Sequence, residues 1–294
     1  EDRPAAGRPH RFRGHRPAAR PSARAVNRHP IGVFDSGVGG LTVVRELMRQ
    51  LPHEPLIYFG DTARVPYGNK SPDTVRRYSR EILDFMVSRE VKLVVVACNT
   101  VSAHALEELI RVSPVPVEGV IGPGARAAVR ASRTGRIGVI GTAGTMRSGA
   151  YERAIKTVDP AAHVTQRACP LFVPFVEEGW LDRPATKLVA HEYLDPLRDG
   201  GIDTLVLGCT HYPLLKPLLA EVMGPDVRLI DSAEETAAAV SRELGSSTLH
   251  APDDAEGPVH FVVSDAPEQF EKVGAAFLGE RVRDVETVVL GEGR

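Results

Sequence analysis

Two apolar runs, far apart in the chain, each end in a thiol followed by small polar residues. Residues 93–97 lead into Cys98-Asn99-Thr100, and residues 205–208 lead into Cys209-Thr210-His211. Each run reads as a buried parallel strand, continuous in Val and Leu rather than alternating. The thiol then stands at the strand's C-terminal tip, the edge of an open α/β sheet where ligands bind. A cysteine ending such a strand is ordinarily core, because it is small and apolar. The pairing argues for more. Both thiols hold equivalent positions near a helix start, where backbone N–H groups and the helix dipole favour a thiolate. An unperturbed thiol titrates near about 8.5, so a modest fall makes it a base near neutral pH. Two matched thiols suit a reaction that needs a proton-transfer group on each face of one substrate.

Other uses of the thiols stay open at this point. A disulfide needs the pair within bonding distance and an oxidising compartment. Zinc has only Cys209 and His211 in an extended turn, with no further ligands evident. Acyl transfer through one cysteine, with His211 or His104 as base, needs a single nucleophile and leaves the repetition unexplained. Cys169, in Arg167-Ala168-Cys169-Pro170, lacks the strand-tip setting and reads as structural. His104 reads as a surface or packing residue, whereas His211 sits two residues after a thiol and reads as local function. Asp35-Ser36 offers a carboxylate and a hydroxyl at another strand tip. It can hold an ammonium group, modulate a thiol, or cap a helix. The turn Ser36-Gly37-Val38-Gly39-Gly40 departs from the dinucleotide pattern G-x-G-x-x-G. Tyr67-Gly68 lies in a polar loop, where functional residues concentrate.

The elements that must position these groups alternate. Residues 31–35 form a strand, 41–50 a helix, 56–60 a strand, and 61–70 a loop. A helix runs from 72 to about 90, with Ser71 as cap and Pro72 in its first turn. Residues 91–97 form a strand, 100–112 a helix, and 115–120 a strand. Strand–helix alternation implies parallel sheets with right-handed crossovers. The pattern then restarts. Residues 137–142 echo 31–36, and residues 227–232 echo 115–120. Asp35 precedes Cys98 by 63 positions and Gly141 precedes Cys209 by 68. The expected fold is α/β, with two pseudo-symmetric parallel-sheet domains of Rossmann-like or flavodoxin-like type and the active site in the cleft between them. Repetition on this scale is a domain duplication rather than a solenoid. The expected division is a tail at 1–29, a first domain at 30–124 plus 233–294, and a second at 125–232. Residues 259–265 and 267–278 read as strand then helix, with 244–258 a surface connection.

With 294 residues, 43% hydrophobic and 25% charged, the composition is that of a globular protein. The net charge of −2 conceals an asymmetry. Residues 1–29 carry eight arginines and two acids, or +6, leaving 28 basic and 36 acidic residues, or −8, for the remainder. An acidic body argues against a nucleic-acid groove. The Arg/Pro/Ala-rich tail reads as disordered. No apolar run is long enough to span a bilayer, and three cysteines in a long chain do not make a disulfide framework. The expected compartment is a reducing cytoplasm.

One set of motifs extends this reading. It comprises Phe34-Asp35-Ser36-Gly37-Val38-Gly39-Gly40-Leu41, Pro66-Tyr67-Gly68, Ala97-Cys98-Asn99-Thr100, Gly141-Thr142 with Thr145, and Gly208-Cys209-Thr210-His211-Tyr212-Pro213. Over residues 30–280 the chain resembles the glutamate-racemase family of the cofactor-independent Asp/Glu racemase superfamily. The resemblance implies Cys98 and Cys209 as paired acid/base thiols that interconvert L- and D-glutamate, with no cofactor and no metal. It implies Asp35 and His211 in supporting roles, and Glu177 as a further acid/base candidate. It implies a substrate pocket lined by Asp35, Ser36, Tyr67, Gly68, Asn99, Thr100, Thr210 and His211, with Thr142 and Thr145 assisting. The D-isomer would feed peptidoglycan synthesis in the cytoplasm. Glutamate is the expected partner, with neither nucleic acid nor membrane required, and a homodimer is compatible with the resemblance.

Overall fold

The computed structural model describes residues 27–278 and 282–291. In chain order the first half runs β1 (Ile31–Asp35), α1 (Leu41–Gln50), β2 (Leu56–Gly60), α2 (Pro72–Ser88), β3 (Leu93–Val96), α3 (Asn99–His104), α4 (Leu106–Val112), β4 (Val117–Gly119) and α5 (Ile121–Ala131). The second half runs β5 (Arg136–Gly141), α6 (Ala143–Ser148), α7 (Ala150–Val158), β6 (His163–Ala168), α8 (Phe172–Glu177), α9 (Pro184–Asp199), β7 (Thr204–Gly208), α10 (Lys216–Met223), β8 (Arg228–Asp231) and α11 (Ser232–Ser246). The chain then adds β9 (Val259–Val263), α12 (Pro267–Leu278) and β10 (Glu286–Thr287).

Two all-parallel sheets result. One has the order β10-β9-β2-β1-β3-β4 and the other β6-β5-β7-β8. Numbered from its own first strand, each contains the order 2-1-3-4, the flavodoxin-like arrangement. Both matched echoes therefore fall on topologically equivalent strands, β1 with β5 and β4 with β8. The central strands carry the apolar sequences. Ile31 pairs with Leu56 on one side and Leu93 on the other, and every residue of β1, β3 and β7 is buried. Burial on both faces is why these strands read as unbroken apolar runs.

Local signals explain some element ends. The Ser71 hydroxyl accepts from the Thr74 N–H at the start of α2, and the buried stripe Val75, Ser79, Ile82, Leu83 and Met86 follows helical spacing. The single helix expected over 100–112 is two, broken at Ala105 (φ −125°, ψ −16°). The break lets His104 Nε2 reach the Gly144 carbonyl at 3.2 Å while Leu109 stays in the core. Strands β6 and β10 escape the sequence reading. β6 is a half-exposed edge with no apolar run, and β10 is two residues long. Helix α11 extends to Ser246, three residues into the segment expected to be a surface connection. Residues 1–26 of the expected tail lie outside the described residues. Its last part is held: Lys92 Nζ donates to Asn27 O at 2.7 Å, and Arg28 pairs with Asp254 at 3.0 Å.

Contacts between the two sheets are made near their C-terminal tips and along α11. Helix α3 packs on α6, and α11 packs on both α1 and α5. The sheet tips that carry both thiols therefore face one another.

Candidate active site

In a 2-1-3-4 sheet the chain reverses direction of winding beside strand 1, and the crevice opens between strands 1 and 3. The first sheet presents Asp35 at the end of β1 and Cys98 just beyond β3. The second presents Thr142 just beyond β5 and Cys209 just beyond β7. All four line one cavity of about 350 Å³, within the range of small-molecule sites. Cys98 and Cys209 are each 5% exposed and enter it from different sheets.

The Cys98 side is built around Asp35. Its Oδ2 accepts from the Gly37 and Gly40 N–H groups at 3.3 and 3.0 Å, which ties the glycine turn to the strand tip. Its Oδ1 is buried without a hydrogen-bond partner. Cys98 Sγ lies 3.7 Å from Ser36 Oγ. Burial, and secondly the Asp35 charge, push the Cys98 thiol up to about 12, although the Val101 and Ser36 contacts pull the other way. Cys98 is therefore a neutral thiol at neutral pH. Beside it Asn99 is 3% exposed, with its Nδ2 unpartnered.

The Cys209 side is built around an imidazole. His211 Nδ1 lies 3.9 Å from Cys209 Sγ, and Nε2 lies 2.9 Å from Glu177 Oε1. Burial alone would lower the His211 pKa. The hydrogen bonds and charges of Cys209 and Glu177 overcome it and raise the value to about 10. An imidazolium is thus held against the sulfur. The ring of Phe277, from α12, meets the His211 ring edge-on at 5.8 Å. Gly39 makes this packing feasible: a Cβ there would lie 2.3 Å from Thr210 Oγ1 and 2.4 Å from His211 Nδ1.

The remaining expected residues divide by position. Ser36, Tyr67, Gly68, Asn99, Thr100, Thr142, Glu177, Thr210 and His211 all line the cavity. Thr145 does not. It is fully buried behind the wall, with its hydroxyl 3.2 Å from Thr100 Oγ1 and 3.0 Å from Thr142 Oγ1. Its contact is with two lining hydroxyls. The Tyr67 hydroxyl donates to Asp61 Oδ2, so the ring, not the hydroxyl, is free to form the wall. Asp61 also accepts from Arg64 and from Ser264 at the end of β9, anchoring the loop that carries Gly68. His104 is not among the cavity-lining residues; its Nε2 meets the Gly144 carbonyl. Cys169 is fully buried, away from the cavity wall, and its carbonyl accepts from the Tyr212 hydroxyl at 2.8 Å. All three cysteines are free thiols.

Sequence reasoning missed three side chains that support the wall. They are Asp61, Thr42, whose hydroxyl reaches the Thr210 carbonyl at 3.0 Å, and Tyr151, whose hydroxyl donates to Asn99 Oδ1 at 2.6 Å. Thr42 and Tyr151 sit on ordinary amphipathic helices, and nothing local marks their reach across the cleft.

The Asp/Glu/Hydantoin racemase family profile matches residues 31–240. The glutamate racemase of Geobacter metallireducens is 57% identical over 88% of this chain and 96% of its own length. Among solved structures, glutamate racemase isoform RacE1 of Bacillus anthracis superposes with a TM-score of 0.86 at 41% identity, covering 89% of this chain and 98% of that one. The Francisella tularensis glutamate racemase, in complex with D-glutamate, gives 0.83 at 38% identity, with coverage of 89% and 98%. A family match over residues 31–240, together with a relative 57% identical over 88% of the chain, means that this chain belongs to the Asp/Glu/Hydantoin racemase family.

Proposed function

We propose that this protein interconverts L- and D-glutamate without a cofactor, using Cys98 and Cys209 as opposed acid and base. The observation that carries the reading is the pair of thiols entering one cavity from equivalent strand tips of two sheets. The choice of glutamate rests on relatives of that name at 57% and 54% identity, and on a solved relative with D-glutamate bound.

The cavity's chemistry supports an amino acid. Asp35 Oδ1 is a buried acceptor without a donor, suited to an ammonium group. Asn99 Nδ2 is a buried donor without an acceptor, suited to a carboxylate. Ser36, Thr100 and Thr210 add hydroxyl-bearing side chains to the cavity lining. In the ligand-free protein the two sides are biased differently. Cys98 is held as the thiol, and Cys209 stands against an imidazolium. In one direction the Cys209 thiolate takes the α-hydrogen as a proton, leaving the electron pair on the α-carbon and spreading into the carboxylate. The Cys98 thiol delivers a proton to the opposite face and becomes the thiolate. The reverse reaction exchanges the roles, and the arriving ammonium beside Asp35 favours a Cys98 thiolate. Donors aimed at the carboxylate stabilise the charge that develops there.

In this reading D-glutamate supplies peptidoglycan synthesis, and the enzyme works in the cytoplasm, where thiols stay reduced. No helix among the described residues is long and apolar enough to cross a membrane. The test is incubation of each glutamate enantiomer in deuterated water without added cofactor, following optical rotation and α-deuteration. Racemisation with α-deuterium in the product is expected. No change in either signal refutes the function, and racemisation at the wild-type rate by Cys98→Ser refutes the two-thiol mechanism.

A further inference from the structure

The two polar atoms of the Asn99 amide have different fates. Oδ1 accepts a 2.6 Å hydrogen bond from the Tyr151 hydroxyl, while Nδ2, on a residue that lines the cavity, has no partner. Tyr151 is fully buried on α7, which belongs to the second half, whereas Asn99 opens α3 of the first. The bond therefore spans the cleft. Burial raises the Tyr151 phenol well above its ordinary range, with the Ser232 hydrogen bond opposing and the Cys209 and Asp231 charges adding to it. The hydroxyl thus stays protonated and acts as a donor, and an amide can answer a donor only through its oxygen.

The duplication repeats this device. Asn99 follows Cys98, and Thr210 follows Cys209. Thr42, fully buried on the helix after β1, sets its hydroxyl 3.0 Å from the Thr210 carbonyl and 3.0 Å from that of Gly39. Each half therefore sends a buried hydroxyl across the cleft to the residue that follows the other half's thiol.

We infer that Tyr151 is a positioning residue of the racemisation site, fixing the Asn99 amide so that its NH2 group faces the substrate carboxylate. A free amide can rotate and present oxygen instead, turning an attraction into a repulsion where negative charge grows. The inference rests on the glutamate-racemising reading above, and the experiment separates the two.

Tyr151→Phe keeps the ring and removes the donor, and thermal unfolding verifies that the variant is folded. Its kcat/KM for glutamate is expected to fall about tenfold or more, as for a lost buried hydrogen bond. Asn99→Ala is expected to fall at least as far. Adding Tyr151→Phe to Asn99→Ala is expected to lower kcat/KM no further, since no amide remains to be oriented. A merely structural tyrosine would cost the same factor in both backgrounds. Asn99→Asp is independent of how Tyr151→Phe folds. It keeps the acceptor for Tyr151 but places oxygen where the NH2 group stood, and it too is expected to lose about tenfold. The inference is overturned by Tyr151→Phe or Asn99→Asp within twofold of wild type, or by equal losses with and without Asn99. If wild-type protein neither racemises glutamate nor exchanges its α-proton, the parent reading has failed, and the inference falls with it.

Discussion

The ionisation of Cys98 gives the sharpest test of the electrostatics. Burial and the Asp35 carboxylate lift this thiol from an ordinary 9.0 to about 12. A rise of that size disfavours the thiolate by about 4 kcal/mol. At pH 8 an ordinary thiol is about one-tenth ionised, whereas Cys98 should be ionised in about one molecule in ten thousand. Alkylation proceeds through the thiolate. The rate of iodoacetamide labelling at Cys98, read peptide by peptide in the mass spectrometer, should therefore climb tenfold per pH unit and still be rising at pH 11. Asp35→Asn should raise that rate about tenfold across the range, because it removes a like charge and keeps an oxygen for the Gly37 and Gly40 N–H groups. Desolvation is the larger cause, so the midpoint should remain above the ordinary value even then. A labelling plateau centred at or below pH 9 in the wild type refutes the reasoning. So does an Asp35→Asn rate that matches the wild type.

The other expectations concern the second thiol and the cleft. Cys209→Ser should abolish racemisation while D-glutamate still raises the melting temperature, and wild-type turnover in that variant would contradict the two-thiol reading. Glu177→Gln removes one of the two partners that keep His211 protonated. Glu177 is 45% exposed, so after solvent screening the loss is about 1 kcal/mol. The basic limb of kcat/KM should move down by about half to one pH unit, and an unmoved limb would remove Glu177 from the site. Because the folded His211 value of about 10 lies above the ordinary 6.5, its protonation adds stability that is complete below pH 6.5 and lost as the pH climbs through about 10. Urea midpoints should fall more steeply over that window for the wild type than for His211→Asn, and parallel slopes would argue against the ion pair. Gly39→Ala drives a methyl group into Thr210 and His211, and should cost about 1–3 kcal/mol of stability along with most activity. Unchanged melting and turnover would show that the turn can move aside.

The sequence on its own determined the strand tips, the thiols and the repetition. Residues 93–97 and 205–208 read as central strands because a strand covered on both faces must be apolar throughout. Ser71 marked a helix start because its hydroxyl serves an N–H three residues away. Such signals act between near neighbours, so they survive in the linear chain. The duplication was legible for a similar reason: each half repeats its own short-range pattern, and both halves fold to the same strand order. The edge strands β6 and β10 left no such mark, because a half-exposed edge needs no apolar run. Only the tertiary structure decided which expected residues touch the cavity. It put Thr145 behind the wall, turned the Tyr67 hydroxyl toward Asp61, and set Glu177 on His211, 34 positions away. It also brought Tyr151 to Asn99 and Thr42 to Thr210, over separations of 52 and 168 positions. Those contacts depend on how two sheets dock tip to tip, and docking is set by the summed packing of many side chains rather than by any local pattern.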